Sequence, residues 1–180
     1  MELIATGFEG LFVIQPRIFR DERGYFFESW NKDQFASHGL FLDFVQDNQS
    51  MSTAGVLRGL HFQHKPWEQG KLVRVLQGAV LDVVVDLRKD QPTFGQHFKL
   101  HMNAQDHTML WIPPGFAHGF LTLEDQTIFV YKCTKAYNRD AEGSIAWNDP
   151  DLAIDWGYTN PMVSDKDSKA MLFKTFVSPF

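Results

Sequence analysis

From Leu57 onward the chain repeats one pattern, short runs of β-branched and aromatic residues in which apolar and polar positions tend to alternate. Residues 72–76, 79–87, 97–102, 109–112, 119–123, 127–134 and 144–147 each form such a run. Gly78, Pro92, Gly95, Pro113, Pro114 and Asp125 punctuate them. Alternation with period two is the mark of a half-buried strand, and many short strands at this spacing predict an antiparallel sandwich or barrel. Upstream, Leu11-Phe-Val-Ile14 reads as a strand closed by Pro16. Tyr25-Phe-Phe-Glu-Ser-Trp30 reads as another, after the charged turn Arg20-Asp-Glu-Arg-Gly24. Asn31 caps a short helix through Phe35 that ends at Gly39, and a second helical piece follows Ser164. Phe44-Val-Gln-Asp-Asn-Gln-Ser50 is polar with little periodicity and reads as a strand running into a loop. With no repeat, low-complexity tract or linker, residues 1–180 read as a single all-β domain.

Composition narrows the function classes. The 22 acidic and 17 basic residues are interspersed and give a net charge of −5, which argues against a broad nucleic-acid surface. Cys133 is the single cysteine, so neither an internal disulfide nor a thiolate metal cluster is available. Met1-Glu-Leu-Ile-Ala5 lacks the basic start and apolar run of a secretion signal, and no apolar run reaches membrane-spanning length. The expectation is a soluble, cytoplasmic protein.

Candidate chemistry gathers in Gly55-Val-Leu-Arg-Gly-Leu-His-Phe-Gln-His64 and Gln69-Gly-Lys-Leu-Val-Arg-Val75. Cations set among apolar strand residues cost free energy unless they meet a negative charge, so they imply an anionic ligand or reacting group. His97 and His101 fall opposite Phe98, Leu100 and Met102 and read as solvent-facing. His38 suits a helix C-terminus, and His107 reads as a loop residue. His61 and His118 stand apart, each close to a glycine and to aromatic residues. Three readings stay open for them. The plainest is a hydrogen-bonded interior histidine. A metal site is the second: Pro113-Pro-Gly-Phe-Ala-His118 has the Pro-x-Gly-x-x-His form of a cupin motif, and His61, His64 and Glu68 loosely suggest its companion. The third is proton abstraction, with His61 as base, Tyr131 as acid and Lys71 as the cation for an enolate oxygen. Phe129, Tyr131 and Cys133 share one face, so Tyr131 also fits a half-buried core position. In a regular strand Arg58 and His61 point to opposite faces, and both meet one ligand only if a bulge at Gly59 bends the backbone.

A series of ordered stretches resembles the dTDP-4-dehydrorhamnose 3,5-epimerase family. They are Arg23-Gly-Tyr-Phe-Phe-Glu28, Val45-Gln-Asp-Asn48, Gly55-Val-Leu-Arg-Gly-Leu-His61, Gln69-Gly-Lys-Leu-Val-Arg74 and Val85-Asp-Leu-Arg88. Trp111-Ile-Pro-Pro-Gly-Phe-Ala-His-Gly-Phe120, Tyr131-Lys-Cys-Thr134, Trp147-Asn-Asp-Pro150 and Ser164-Asp-Lys-Asp167 complete the series. The resemblance implies a cupin-like jelly-roll barrel, a homodimer, and inversion of C3 and C5 of dTDP-4-dehydro-6-deoxy-D-glucose without metal or cofactor. Relatives in antibiotic-sugar pathways invert one carbon alone, and the motifs do not separate the two activities.

Carried over by motif, His61 is the base and Asp167 its partner, although Asp167 also fits a capping box with Ser164. Tyr131 returns a proton, Lys71 steadies the enolate oxygen, Tyr137 stacks on thymine and Arg58 holds the diphosphate. Arg23 and Glu28 contact the nucleotide, with segment 23–28 reaching across to the partner subunit. Gln46, Asp47, Asn48, His118, Glu142 and Lys166 match further ligand contacts. Two other classes remain as alternatives: a metal-dependent cupin using His61, His64, Glu68 and His118, and a nucleotide-sugar binding module without turnover.

Overall fold

The computed structural model describes residues 1–180 as an antiparallel β-sandwich of the cupin-like jelly-roll type. In chain order the strands are β1 (Glu2–Ala5), β2 (Phe12–Gln15), β3 (Phe19–Asp21), β4 (Gly24–Phe26) and β5 (Gln46–Ser52). After them come β6 (Leu57–Gln63), β7 (Lys71–Gln77), β8 (Ala79–Asp86) and β9 (His97–Asn103). The last four are β10 (Met109–Ile112), β11 (Phe116–Thr122), β12 (Thr127–Cys133) and β13 (Glu142–Ser144). One sheet has the order β1-β2-β10-β7-β12-β5 and faces a second, β13-β6-β11-β8-β9, while β3 and β4 form a separate hairpin. The one α-helix, α1 (Lys32–Ser37), is capped by Asn31, whose Oδ1 accepts from the Gln34 N–H at 3.1 Å. No helix is long and apolar enough to cross a membrane.

Alternation decides which face of each strand is buried. Val73 and Val75 of β7, Phe129 of β12, Val80 and Val84 of β8 and Phe120 of β11 fill the space between the sheets. Each such side chain contributes about 1.5–3 kcal/mol when fully removed from water. Leu57, Leu60 and Phe62 of β6 turn the other way, into a cluster closed by Ile145, Leu152, Trp156 and the C-terminal Phe173, Phe176 and Phe180. Outside the first sheet, Leu72, Met109 and Trp111 pack under Phe35 of α1 with Leu40 and Leu42. The far end of that outer face has no such cover, and Met51 and Leu76 are exposed there at 61% and 42%.

Several segments differ from the sequence reading for local reasons. Residues 46–52 form a full strand although their pattern is polar, because one face of β5 lines a polar cavity and the other meets solvent. The expected strand 25–30 is only the short β4, part of an exposed hairpin too charged and too short to read from periodicity. The helical piece after Ser164 is a single 3-10 turn, Asp167–Lys169. His107 lies in a loop as expected, but it is buried under Tyr25 and Phe27, with ring centroids 4.4 and 5.0 Å away. Arg88, beyond the end of β8, donates to the buried Asp86 at 2.9 and 2.7 Å and lies over Phe116.

The expected irregularity in β6 is present. His61 pairs with His118 and Arg58 with Phe120, so three steps along β6 match two along β11. Gly59 absorbs the extra residue with φ of +141°, a region that side chains resist. A Cβ on Gly59 would lie 2.4 Å from Gly119 Cα, so both backbone angle and space demand glycine. Replacing Gly59 by Ala is expected to destabilise the protein by about 3 kcal/mol. Thermal unfolding checks this, with Tm expected to fall by roughly 6–12 °C. An unchanged Tm would contradict the close approach.

Candidate active site

The bulge brings both Arg58 and His61 to the inner wall of one cavity of about 470 Å³, where Lys71, His118, Tyr131 and Asp167 also lie. A second lobe of about 290 Å³ shares His61, Lys71 and Tyr131 and adds Gln46, Asn48, Tyr137 and Glu142. Lys71 and Tyr131 come from strands whose alternate residues build the core: Lys71 precedes Val73 and Val75 on β7, and Tyr131 follows Phe129 on β12.

Asp167 arrives from the C-terminal segment. Backbone hydrogen bonds of Met162 with Gly55 and Leu57, at 2.8 and 2.9 Å, lay that segment beside the start of β6. The Asp167 N–H then donates to Ser164 Oγ at 3.1 Å, so the capping relation exists, while the carboxylate is left to other partners. Asp167 Oδ1 is 2.6 Å from His61 Nε2, and Oδ2 accepts from the Gly59 N–H at 3.4 Å. Burial alone would push this carboxyl up. The hydrogen bond and charge of His61, with Gly59 and Ser164, outweigh it and hold Asp167 below the usual carboxylate range.

The opposing groups carry different perturbations. Burial pushes the Lys71 amine down, against smaller upward pulls from Cys133, Asp82 and Glu142. Burial likewise raises the Tyr131 phenol, which keeps it protonated at neutral pH. The Lys71 Nζ sits 5.8 Å from the Tyr131 ring centroid. His118 Nε2 bonds Asp82 Oδ2 at 2.9 Å, and burial drives its imidazole toward the neutral form.

At the mouth of the second lobe Glu142 pairs with Lys166 and accepts from the Tyr137 hydroxyl at 3.0 Å. Burial raises the Glu142 carboxyl, but these partners bring it below the usual range. Gln46 accepts from the Tyr137 N–H at 2.7 Å and donates to Asn48 at 2.9 Å, which fixes the approach to the exposed Tyr137 ring. Arg58 donates to Ser52 Oγ at 3.2 and 3.1 Å.

Three of the expected site residues lie elsewhere in this chain. Arg23 is on the exposed hairpin, paired with Asp21 at 2.5 Å, and Glu28 accepts from Asn31 at 2.8 Å near α1. Asp47 falls between Gln46 and Asn48 in the alternation of β5, so it faces outward and pairs with Lys132 at 2.7 Å. His64 and Glu68 line neither lobe, and no three His, Cys, Asp or Glu side chains converge as metal ligands. Asp82 was missed by the sequence reading. Its signal was an acidic residue at an inward position of the otherwise apolar Ala79-Val-Leu-Asp-Val-Val-Val85.

Known proteins resemble this chain along nearly its whole length. The family described as dTDP-4-dehydrorhamnose 3,5-epimerase matches residues 5–175. The protein of that name from Shigella flexneri is 47% identical over 174 residues, covering 96% of each chain. The crystal structure of the Bacillus anthracis dTDP-4-dehydrorhamnose 3,5-epimerase with TDP and PPi bound aligns with a TM-score of 0.94 and 47% identity, over 96% of this chain and 99% of that one. The Legionella pneumophila dTDP-6-deoxy-D-glucose-3,5-epimerase in complex with dTDP-4-keto-L-rhamnose gives 0.93 and 44%, over 98% and 94%. With the match running from end to end and the bulged strand, cavity and histidine–aspartate pair in place, the chain belongs to the dTDP-4-dehydrorhamnose 3,5-epimerase family.

Proposed function

We propose that this protein inverts C3 and C5 of dTDP-4-dehydro-6-deoxy-D-glucose, giving dTDP-4-dehydrorhamnose for dTDP-L-rhamnose biosynthesis. The observation that carries the reading is one imidazole, held at 2.6 Å by a buried carboxylate, in a cavity that also presents a phenol and an ammonium. C3 and C5 both flank the C4 ketone. Loss of a proton from either carbon gives an enolate, so one base and one acid serve both.

An ionised Asp167 can only accept, so Nε2 of His61 carries its hydrogen and Nδ1 is the basic nitrogen. Nδ1 takes the proton from carbon, and the electron pair moves onto the ketone oxygen. The Lys71 ammonium, itself buried in the cavity wall, offsets the charge that develops there. Tyr131 delivers its hydroxyl proton to the opposite face of the same carbon, which inverts the centre. The phenolate then regains a proton from solvent, and His61 releases the one it took. Arg58 suits the diphosphate because a planar multi-donor cation matches phosphate oxygens. Tyr137 stacks on thymine, while Gln46, Asn48, His118, Glu142 and Lys166 complete the contacts. Asp47, on the outer face, is left out of this assignment.

The functional unit in this proposal is a cytoplasmic homodimer of single-domain subunits, residues 1–180. Two features support the dimer. Phe19 and Phe26 of the β3–β4 hairpin are 51% and 65% exposed, and the outer sheet face leaves Met51 and Leu76 open to solvent. Segment 23–28 reaching across would bring Arg23 and Glu28 to the neighbour's cavity, which accounts for their place outside the cavity of their own chain.

Proton NMR of the 4-keto sugar in heavy water, coupled to a 4-reductase, tests the reaction. Deuterium should enter at both C3 and C5 with inversion at both, and entry at one carbon alone would indicate a single-carbon epimerase. The Tyr131→Phe variant should still wash deuterium into the sugar but lose most of the inversion. Equal loss of both would contradict the role given to Tyr131. Mixing tests the dimer: His61→Asn and Arg23→Ala proteins, each inactive alone, should recover about a quarter of wild-type activity on subunit exchange. No recovery would contradict the shared cavity.

A further inference from the structure

Asp82 is a carboxylate in the middle of the sandwich. It follows Val80 and precedes Val84 on the inward face of β8, opposite Phe120 of β11 in register. None of its surface is exposed. Oδ2 accepts from His118 Nε2 at 2.9 Å, and the buried Oδ1 has no hydrogen-bond partner within the protein. A carboxyl group so placed, with one oxygen unpartnered, costs folding free energy that a valine would not, which points to a role outside stability. Across the interior, the Lys71 ammonium has the opposite imbalance, with no carboxylate within ion-pair distance.

We propose that Asp82 is a positioning residue of the epimerase site, supplying through His118 the fixed negative charge that keeps Lys71 protonated beside the substrate's ketone oxygen. The inference rests on the role given to Lys71 above and extends it to a residue that does not line the cavity.

The other groups facing Lys71 do not supply that charge. Cys133 lies opposite it in register on β12, but burial raises its thiol, which stays neutral at neutral pH. Glu142 of β13 is engaged by Lys166 and the Tyr137 hydroxyl. Tyr131 presents a neutral ring, and Ile112, the register partner on β10, carries no charge. His118 is driven toward neutrality by burial. With its Nε2–H given to Asp82, its Nδ1 is an acceptor, suited to orient a neighbouring ammonium or sugar hydroxyl. Asp82 is therefore the interior carboxylate without a cation of its own. Its pull on the Lys71 amine is upward, against the burial that lowers it.

The test reads Lys71 directly, by NMR titration of its Nζ in lysine-labelled protein without substrate, the signal being assigned by its loss in Lys71→Met. Asp82→Asn removes the charge and keeps the shape. Asp82→Val, which continues the valine alternation of β8, serves as a second variant that folds readily. Taking away an anion favours the neutral amine, so the titration midpoint should fall by about one pH unit in both variants. The alkaline limb of kcat should move down with it, KM should change little, and Asp82→Asn should cost nothing more once Lys71 is Met. An unmoved Lys71 midpoint in a folded variant would overturn the proposal, as would full additivity with Lys71→Met. Because the titration uses no substrate, it stands or falls independently of whether the wild-type protein turns over the sugar.

Discussion

The 2.6 Å hydrogen bond between His61 and Asp167 joins positions 106 residues apart, and it demands three separate features of the fold. The first is the bulge at Gly59, without which His61 and Arg58 would face opposite sides of β6. The second is the closeness of Gly59 and Gly119, where two backbones approach so nearly that neither position has room for a side chain. The third is the C-terminal segment, bonded along the start of β6 through Met162 and turned inward at Ser164. The C-terminal phenylalanines that cover β6 hold the same segment from outside. A carboxylate so placed stays ionised, so the imidazole has one tautomer and one basic nitrogen.

Around that bond the interior of the sandwich is graded. On β7 and β12 the facing pairs run from Lys71 with Cys133, through Val73 with Tyr131, to Val75 with Phe129. Hydrophobic packing is therefore complete at one end of the barrel, while at the other the same inward positions are polar. The second end carries an unpaired ammonium, and Asp82 lies fully buried in the middle of the sandwich, both unfavourable for folding. The three apolar clusters, one between the sheets and one outside each, offset that cost. The division between an apolar end and a reactive polar end lets His61, Lys71, His118 and Tyr131 be held by strands.

Much of this was legible in the sequence because alternation reports directly on which face is buried. The valines of β7 and β8, the core strand β12 and the cap at Asn31 all followed from local rules. So did the need for a bulge, since Arg58 and His61 are three residues apart in a strand. Pairing across the fold was not legible. Nothing local says that Asp167 meets His61, and its spacing from Ser164 fits a helix cap equally well; the structure uses its backbone for the cap and its side chain for the histidine. Asp47 shows how a motif match can outrun geometry, because its neighbours on both sides face the cavity while it faces away. Residues 44–50 read as a strand running into a loop, and the structure carries the strand on to Ser52, because its inward face meets a polar cavity rather than a core. Arg23 on the hairpin and Glu28 just after it belong to a segment whose proposed partner is another subunit, so a single chain leaves both outside the cavity that holds His61.

The central claim is that one imidazole removes the protons from both carbons. Solvent deuterium entry into the 4-keto sugar, followed by NMR with His61→Asn protein, tests it most directly. The account predicts that exchange at C3 and at C5 disappears together while dTDP still binds. Exchange persisting at either carbon would contradict it.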